Sequence, residues 1–208
     1  MQKVREIVTN ILKEHAVDTV YFVGCGGSLS GFFPAKYFLS CEAKKLKVGY
    51  INANEFVHAT PKEIGANAVV ILASQRGDTA ETVKACQAAN EKGAATVGLT
   101  FQVPSPLADS AQHVILYEFG DDSIVENQKT SYGFKMALEL LHQIEGYAGY
   151  DAMVKALGSL NEIVVKAKKD IVPFAIKYAW EFKDDSVIYT MGSGPCWGSA
   201  HQESICIF

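Results

Sequence analysis

The chain predicts an α/β fold of three layers, αβα, around a five-stranded parallel sheet. Three observations carry that expectation. Five apolar runs of strand length recur along residues 18–119, most of them rich in Val and Ile. Segments with helical spacing separate most of them, as parallel crossovers require. Glycine- and hydroxyl-rich turns follow the first and third runs, where such a sheet keeps its ligand crevice.

The elements follow in order. Val4, Ile7, Val8, Ile11 and Leu12 lie on one face of a helix over 2–15. "DTVYFVG" (18–24) reads as a buried strand, and "SGFFPAKYFLSCEAKK" (30–45) as its following helix. "KVGYINA" (47–53) and "AVVILAS" (68–74) are the second and third strands. "AETVKACQAANEKG" (80–93) is a helix with Gly93 just past its end. "ATVGLT" (95–100) and "HVILYEF" (113–119) complete the sheet, with a short helical turn in "VPSPLADSA" (103–111) between them. Helical stretches then occupy 124–146, 150–169 and the run from Pro173 to Glu181, before "DDSVIYTMGSGP" (184–195) returns to a strand and a glycine turn.

That return repeats the beginning. Without gaps, Asp18 aligns with Asp185, Val20 with Val187, Gly27 with Gly194 and Gly31 with Gly198. The expectation is a first domain over 1–150, then linker helices and the opening of a second copy over 151–208. The run "SAHQESICIF" ends in mid-helix without a C-cap signal. The sequence is therefore expected to be a fragment of a longer chain.

Bulk properties narrow the function. The 208 residues are 49% hydrophobic, enough for a sizeable core, and carry a net charge of −4 with no basic footprint for nucleic acid. No apolar run reaches the length of a membrane span, and the charged, helix-periodic start is not a secretory signal. Five scattered cysteines without a C-x-x-C pair fit reduced thiols in a cytoplasmic protein. No metal-ligand spacing is present, so neither metal nor cofactor is expected.

The turns carry the chemistry. Gly24, Gly26 and Gly27 give G-x-G-G, and Gly31 falls outside dinucleotide spacing. Glu42 sits in a helix, not at the end of the second strand, so a dinucleotide is disfavoured. A phosphate needs only backbone N–H groups and hydroxyls at a helix start. "CGGS" offers both, with Ser28 in an N-cap-like position. "ASQRGDTAET" (73–82) offers Ser74, Gln75, Arg76 and Thr79 around Gly77, also after a strand and before a helix. Arg76 either adds a charge-assisted contact or points to solvent.

"CGGS" followed by "SQRGDT" resembles the sugar isomerase (SIS) domain family, whose pattern is C-G-[TS]-S and then S-x-[SRY]-G-x-T. The resemblance implies a flavodoxin-like SIS domain over residues 1–150 and the opening of a second. "NEFVHATP" (54–61) and "SIVENQKTSY" (123–132) bring it nearest to fructosamine-6-phosphate deglycases, relatives of the isomerase half of glutamine–fructose-6-phosphate amidotransferase. It implies a phosphate site of Gly26, Gly27, Ser28, Ser74, Gln75 and Thr79, with Arg76 standing where the amidotransferase isomerases have serine. Val125 and Lys129 would border the sugar, and Ser193 and Gly194 would form the second domain's turn. The family's general-base Glu and its His would fall after Phe208. Glu203, one level earlier on that helix, is expected to be structural. His15, His58, His113, His142 and His201 read as surface or packing residues, with His58 nearest the crevice.

The implied reaction is enaminol formation from a sugar-amine phosphate and hydrolysis to glucose 6-phosphate and amine. The alternatives are an aldose–ketose isomerase or aminotransferase half and a non-catalytic sugar-phosphate sensor. The implied partners are a phosphorylated sugar-amine or hexose phosphate, and a second copy in a homodimer or larger homo-oligomer. The helices at 124–146 and 150–169 are candidates for that contact.

Overall fold

The computed structural model describes residues 1–207. Its sheet has the order β2-β1-β3-β4-β5, all parallel. The strands are β1 (Thr19–Gly24), β2 (Lys47–Asn52), β3 (Ala68–Ala73), β4 (Ala95–Thr100) and β5 (His113–Leu116). Every residue of β3 and β4 is buried, as strands covered on both faces must be.

Alternation along β1 sorts the core into two layers. Val20 and Phe22 face α1 (Gln2–Glu14), α3 (Phe33–Glu42) and α7 (Lys129–Glu145), where Val4, Ile11, Leu39, Met136 and Leu140 close the layer. Tyr21 and Val23 face the other layer of α4 (Ala53–His58), α5 (Ala80–Glu91) and α6 (Pro106–Ser110), with Phe56, Ala85, Cys86 and Leu107. The Glu145 carboxylate, at the end of α7, accepts from the amides of Lys44, Lys45 and Leu46 at 2.8–2.9 Å. It thereby fixes the turn between α3 and β2.

Several sequence expectations are revised. The helix expected over 30–45 begins earlier and breaks into α2 (Gly26–Ser30) and α3. The N-cap of α2 is Cys25, so Ser28 lies inside the helix and not in an N-cap position. The Asn52 side chain accepts from the Asn54 amide at 2.9 Å and starts α4, which apolar periodicity alone did not reveal in so short a segment. The fifth strand stops at Leu116, opposite Thr100, the last residue of its neighbour β4.

The helices expected over 150–169 and from Pro173 are instead α8 (Tyr150–Leu157) and one continuous α9 (Leu160–Phe182). Pro173 lies inside α9. The carbonyl it leaves without an amide donor, on Lys169, belongs to an exposed helix open to solvent. Of the two stretches considered for contact between copies, 124–146 is spent on the domain's own core through α7, and 150–169 buries Tyr150 and Leu157 of α8 but no residue of α9.

The expected strand in 184–195 is absent. Residues 186–193 run without regular structure, and Val187, Tyr189 and Met191 are 60%, 86% and 92% exposed. A strand needs a neighbour to bond to, and this segment has none among the described residues. The helix expected after it does form, as α10 (Trp197–Cys206), and packs on α2 and α3.

Candidate functional site

The sheet order makes a switch point. The chain leaves β1 outward to β2, then returns to β3 on the other side of β1. Gly24, the last residue of β1, therefore pairs with Asn52 on one side and Ala73 on the other. The turns after β1 and β3 leave the sheet side by side at its carboxyl end, where open α/β sheets hold ligands.

The turn after β3 is the better built of the two. The Ser74 side chain is buried, and its Oγ lies 2.9 Å from Thr79 Oγ1 and accepts from the Thr79 amide at 3.3 Å. Thr79 is the N-cap residue of α5, yet its hydroxyl turns to Ser74 rather than to the helix amides. Gly77 has φ +73°, and a Cβ there would sit 2.2 Å from Ser105 Oγ. Only glycine fits that position. Gln75 and Arg76 are exposed, and Arg76 Nη2 pairs with Asp78 at 3.2 Å. This places Arg76 on the solvent side of the turn.

In the turn after β1, Gly26, Gly27 and Ser28 are half-buried. Lys129 reaches them from the start of α7 and donates from Nζ to Gly27 O at 2.7 Å. Burial lowers the Lys129 ammonium to about 8, a shift that the nearby Cys206 opposes. Val125 opens the short 3-10 turn before α7, and its amide donates to Asn161 Oδ1 at 3.1 Å. Gln202 of α10 covers the glycine turn, and its Nε2 would lie 3.2 Å from a Cβ on Gly27. Lys129, Gln128, Gln202 and Glu118 line a cavity of about 280 Å³ beside it.

Sequence reasoning had passed over Gln202, which lies inside a helix with no motif around it. It had likewise passed over the buried Thr100, which ends β4 beside the 74–79 turn and donates to Gln75 O at 3.1 Å. A threonine closing an apolar run was the only signal. Three of the five histidines have side-chain or backbone partners. His15 Nδ1 meets Ala66 O at 2.8 Å, His142 stacks on Tyr150, and His201 Nδ1 lies 3.2 Å from Ser30 Oγ. His58 is exposed at the end of α4. Glu203 borders a surface cavity of about 660 Å³, against apolar residues of α9. Among the described residues, no three His, Cys, Asp or Glu side chains gather in a way that could hold a metal. No helix among them is long and apolar enough to cross a membrane.

A doubly wound parallel α/β domain, with two hydroxyl-bearing turns side by side at its switch point, is the class that this geometry defines. Residues 15–141 match the SIS domain family, and the chain belongs to it. The chain is 38% identical over 198 residues to the fructosamine deglycase FrlB of Bacillus subtilis (strain 168), covering 94% of this chain and 60% of that protein. It is 30% identical over 216 residues to the fructoselysine 6-phosphate deglycase of Escherichia coli O157:H7, covering 97% and 58%. A crystal structure of a Salmonella typhimurium LT2 protein, assigned provisionally as a phosphosugar isomerase, superposes with a TM-score of 0.97 at 51% identity, covering 99% of this chain and 62% of that one. The chain thus spans about three-fifths of the length of these relatives.

Proposed function

We propose that this chain is the phosphate-binding part of a fructosamine-6-phosphate deglycase, a hydrolase of phosphorylated sugar-amines. The observation that carries the reading is the pairing of Gly24 with Ala73, which sets the 26–28 and 74–79 turns beside one another. The phosphate is held by Ser28, Ser74, Gln75 and Thr79, with the amides of Gly26 and Gly27 beside it. Val125 and Lys129 border the sugar. Arg76, paired with Asp78, stays at the rim.

The substrate opens to its ketone form. A carboxylate removes a proton from C1 to give an enaminol, protonation at C2 gives an imine, and water releases the amine and glucose 6-phosphate. Binding the remote phosphate orients the reacting carbons. The carboxylate and its partner His are placed outside residues 1–208, in the remainder of a two-domain protein whose second SIS domain opens within 151–208. On this reading the 208-residue chain binds substrate without turning it over. The five free cysteines support a reducing, cytoplasmic setting, and the exposed apolar side of α9 supports association into a homodimer or larger homo-oligomer.

Calorimetric titration of the chain with glucose 6-phosphate tests the site. Ser74→Ala and Thr79→Ala should each weaken binding about tenfold, the worth of a hydrogen bond to a charged group. Unchanged affinity in both variants overturns the phosphate assignment.

A further inference from the structure

We propose that Thr100 is a positioning residue for the anion: its hydroxyl, outside the 74–79 turn, fixes which way that turn presents its amides. The inference rests on the phosphate reading above and adds to it the device that organises the turn.

A peptide unit is planar and trans, so its C=O and N–H point in opposite directions. A turn that serves an anion must show N–H groups inward, and each carbonyl must then be held outward. In this turn the carbonyls of Ser74, Gln75 and Gly77 are all bonded. Ser74 O accepts from the Gly77 amide at 3.2 Å, Gln75 O from the Phe101 amide at 3.0 Å, and Gly77 O from the Leu107 amide at 2.9 Å. The same three peptide units carry the amides of Gln75, Arg76 and Asp78. Among the described residues, these amides donate to no other group.

Among the described residues, Thr100 supplies the one side-chain donor to those carbonyls. It is fully buried at the end of β4, and its Oγ1 donates to Gln75 O at 3.1 Å. The same proton is shared with Gln102 O at 3.2 Å, and the oxygen accepts from the Gln102 amide at 3.2 Å. One hydroxyl therefore ties the turn after β3 to the turn after β4. Together with the Phe101 amide, it holds the Gln75–Arg76 peptide with its carbonyl toward the protein and the Arg76 amide on the opposite side. The exposed Arg76 side chain then matters less to the anion than the Arg76 backbone does.

The test compares Thr100→Val, which keeps the shape and removes the hydroxyl, with Thr100→Ser, which keeps the hydroxyl and removes a methyl. Glucose 6-phosphate is the probe, and Ser74→Ala is the control. Thr100→Val should weaken binding about three- to tenfold, on the scale of one hydrogen bond, while Thr100→Ser binds as the parent. The ligand-induced shift of the Arg76 amide in ¹H–¹⁵N spectra should shrink in Thr100→Val and persist in Thr100→Ser. A purely structural role would lower the melting temperature and leave that shift alone. If Thr100→Val does not fold, Thr100→Cys takes its place, since a thiol is a weak donor, and should weaken binding likewise. Parent-like binding by Thr100→Val, with Ser74→Ala impaired, overturns the role of Thr100 and leaves the phosphate site standing. Parent-like binding by all variants, Ser74→Ala included, overturns the phosphate site itself.

Discussion

Residues 18–31 and 185–198 begin from similar sequences and end as different structures. In the first, Val20 and Phe22 sit in a strand with β2 on one side and β3 on the other, both side chains fully buried. In the second, the aligned Val187 and Tyr189 lie in an unpaired segment, largely exposed. Yet a helix follows the glycine turn in both. Helix formation is satisfied by bonds within the segment, whereas a strand is only half of a structure until a neighbour supplies the other half. Two strands hold the turn after β1, whereas no strand among the described residues pairs with the segment before residue 193.

The comparison is broken most directly at its aligned aromatics. Phe22→Ala should destabilise the chain by about 3–5 kcal/mol in urea unfolding, through lost burial and the cavity left behind. Tyr189→Ala should change stability by less than about 0.5 kcal/mol. Equal costs would mean that residues 186–193 are packed in solution.

A smaller contrast separates the aligned glycines. A Cβ on Gly198 would lie 2.5 Å from Phe33 Cβ and 2.7 Å from Ser30 O, groups held in place by backbone. A Cβ on Gly31 would first meet Lys129 Cε, at 2.7 Å on a flexible side chain. Gly198→Ala should therefore cost about 1–3 kcal/mol of α10 docking, and Gly31→Ala less. Trp197, whose ring centroid lies 4.6 Å from that of Phe33, reports the loss. In a Trp180→Phe background, its emission should shift to the red in Gly198→Ala and stay put in Gly31→Ala.

A third contrast is a pH dependence set by Lys129 at the first turn. Lys129, lowered to about 8, is charged below that pH and neutral above it. Affinity for glucose 6-phosphate should fall about two- to fivefold as pH rises through 8, the scale of a single partly screened charge. Stability should move the other way. The unfolded chain binds the proton more tightly than the folded one, so the contribution of Lys129 to stability rises between about pH 8 and its ordinary value of 10.5. Lys129→Met should flatten both profiles, and a retained affinity slope would place the titration elsewhere.

The sheet was legible because each buried strand is a continuous apolar run, and β4 was read to the residue. Both candidate turns were legible for a related reason, since glycine and hydroxyl residues interrupt those runs at the ends where ligands bind. What was hidden depends on partners distant in the chain. Whether 184–195 pairs depends on a neighbouring strand, not on its own pattern. The continuation of α9 through Pro173 leaves a carbonyl without its amide donor, on a helix exposed along its length. Gln202 and Thr100 reach the turns from elements whose local sequence carries no mark of them. Arg76 was left open between anion and solvent, and in the structure its exposed side chain pairs with Asp78 two residues on.

The brace formed by α7 also sets an order of events during synthesis. Lys129 bonds to Gly27 across 102 residues, and Glu145 reaches Lys44–Leu46 across 99–101. A chain emerging from the ribosome therefore exposes its first glycine turn long before the residues that secure it exist. At roughly 5–20 residues per second, that interval is about 5–20 s. During that time the apolar face of α3 has no α7 to cover it.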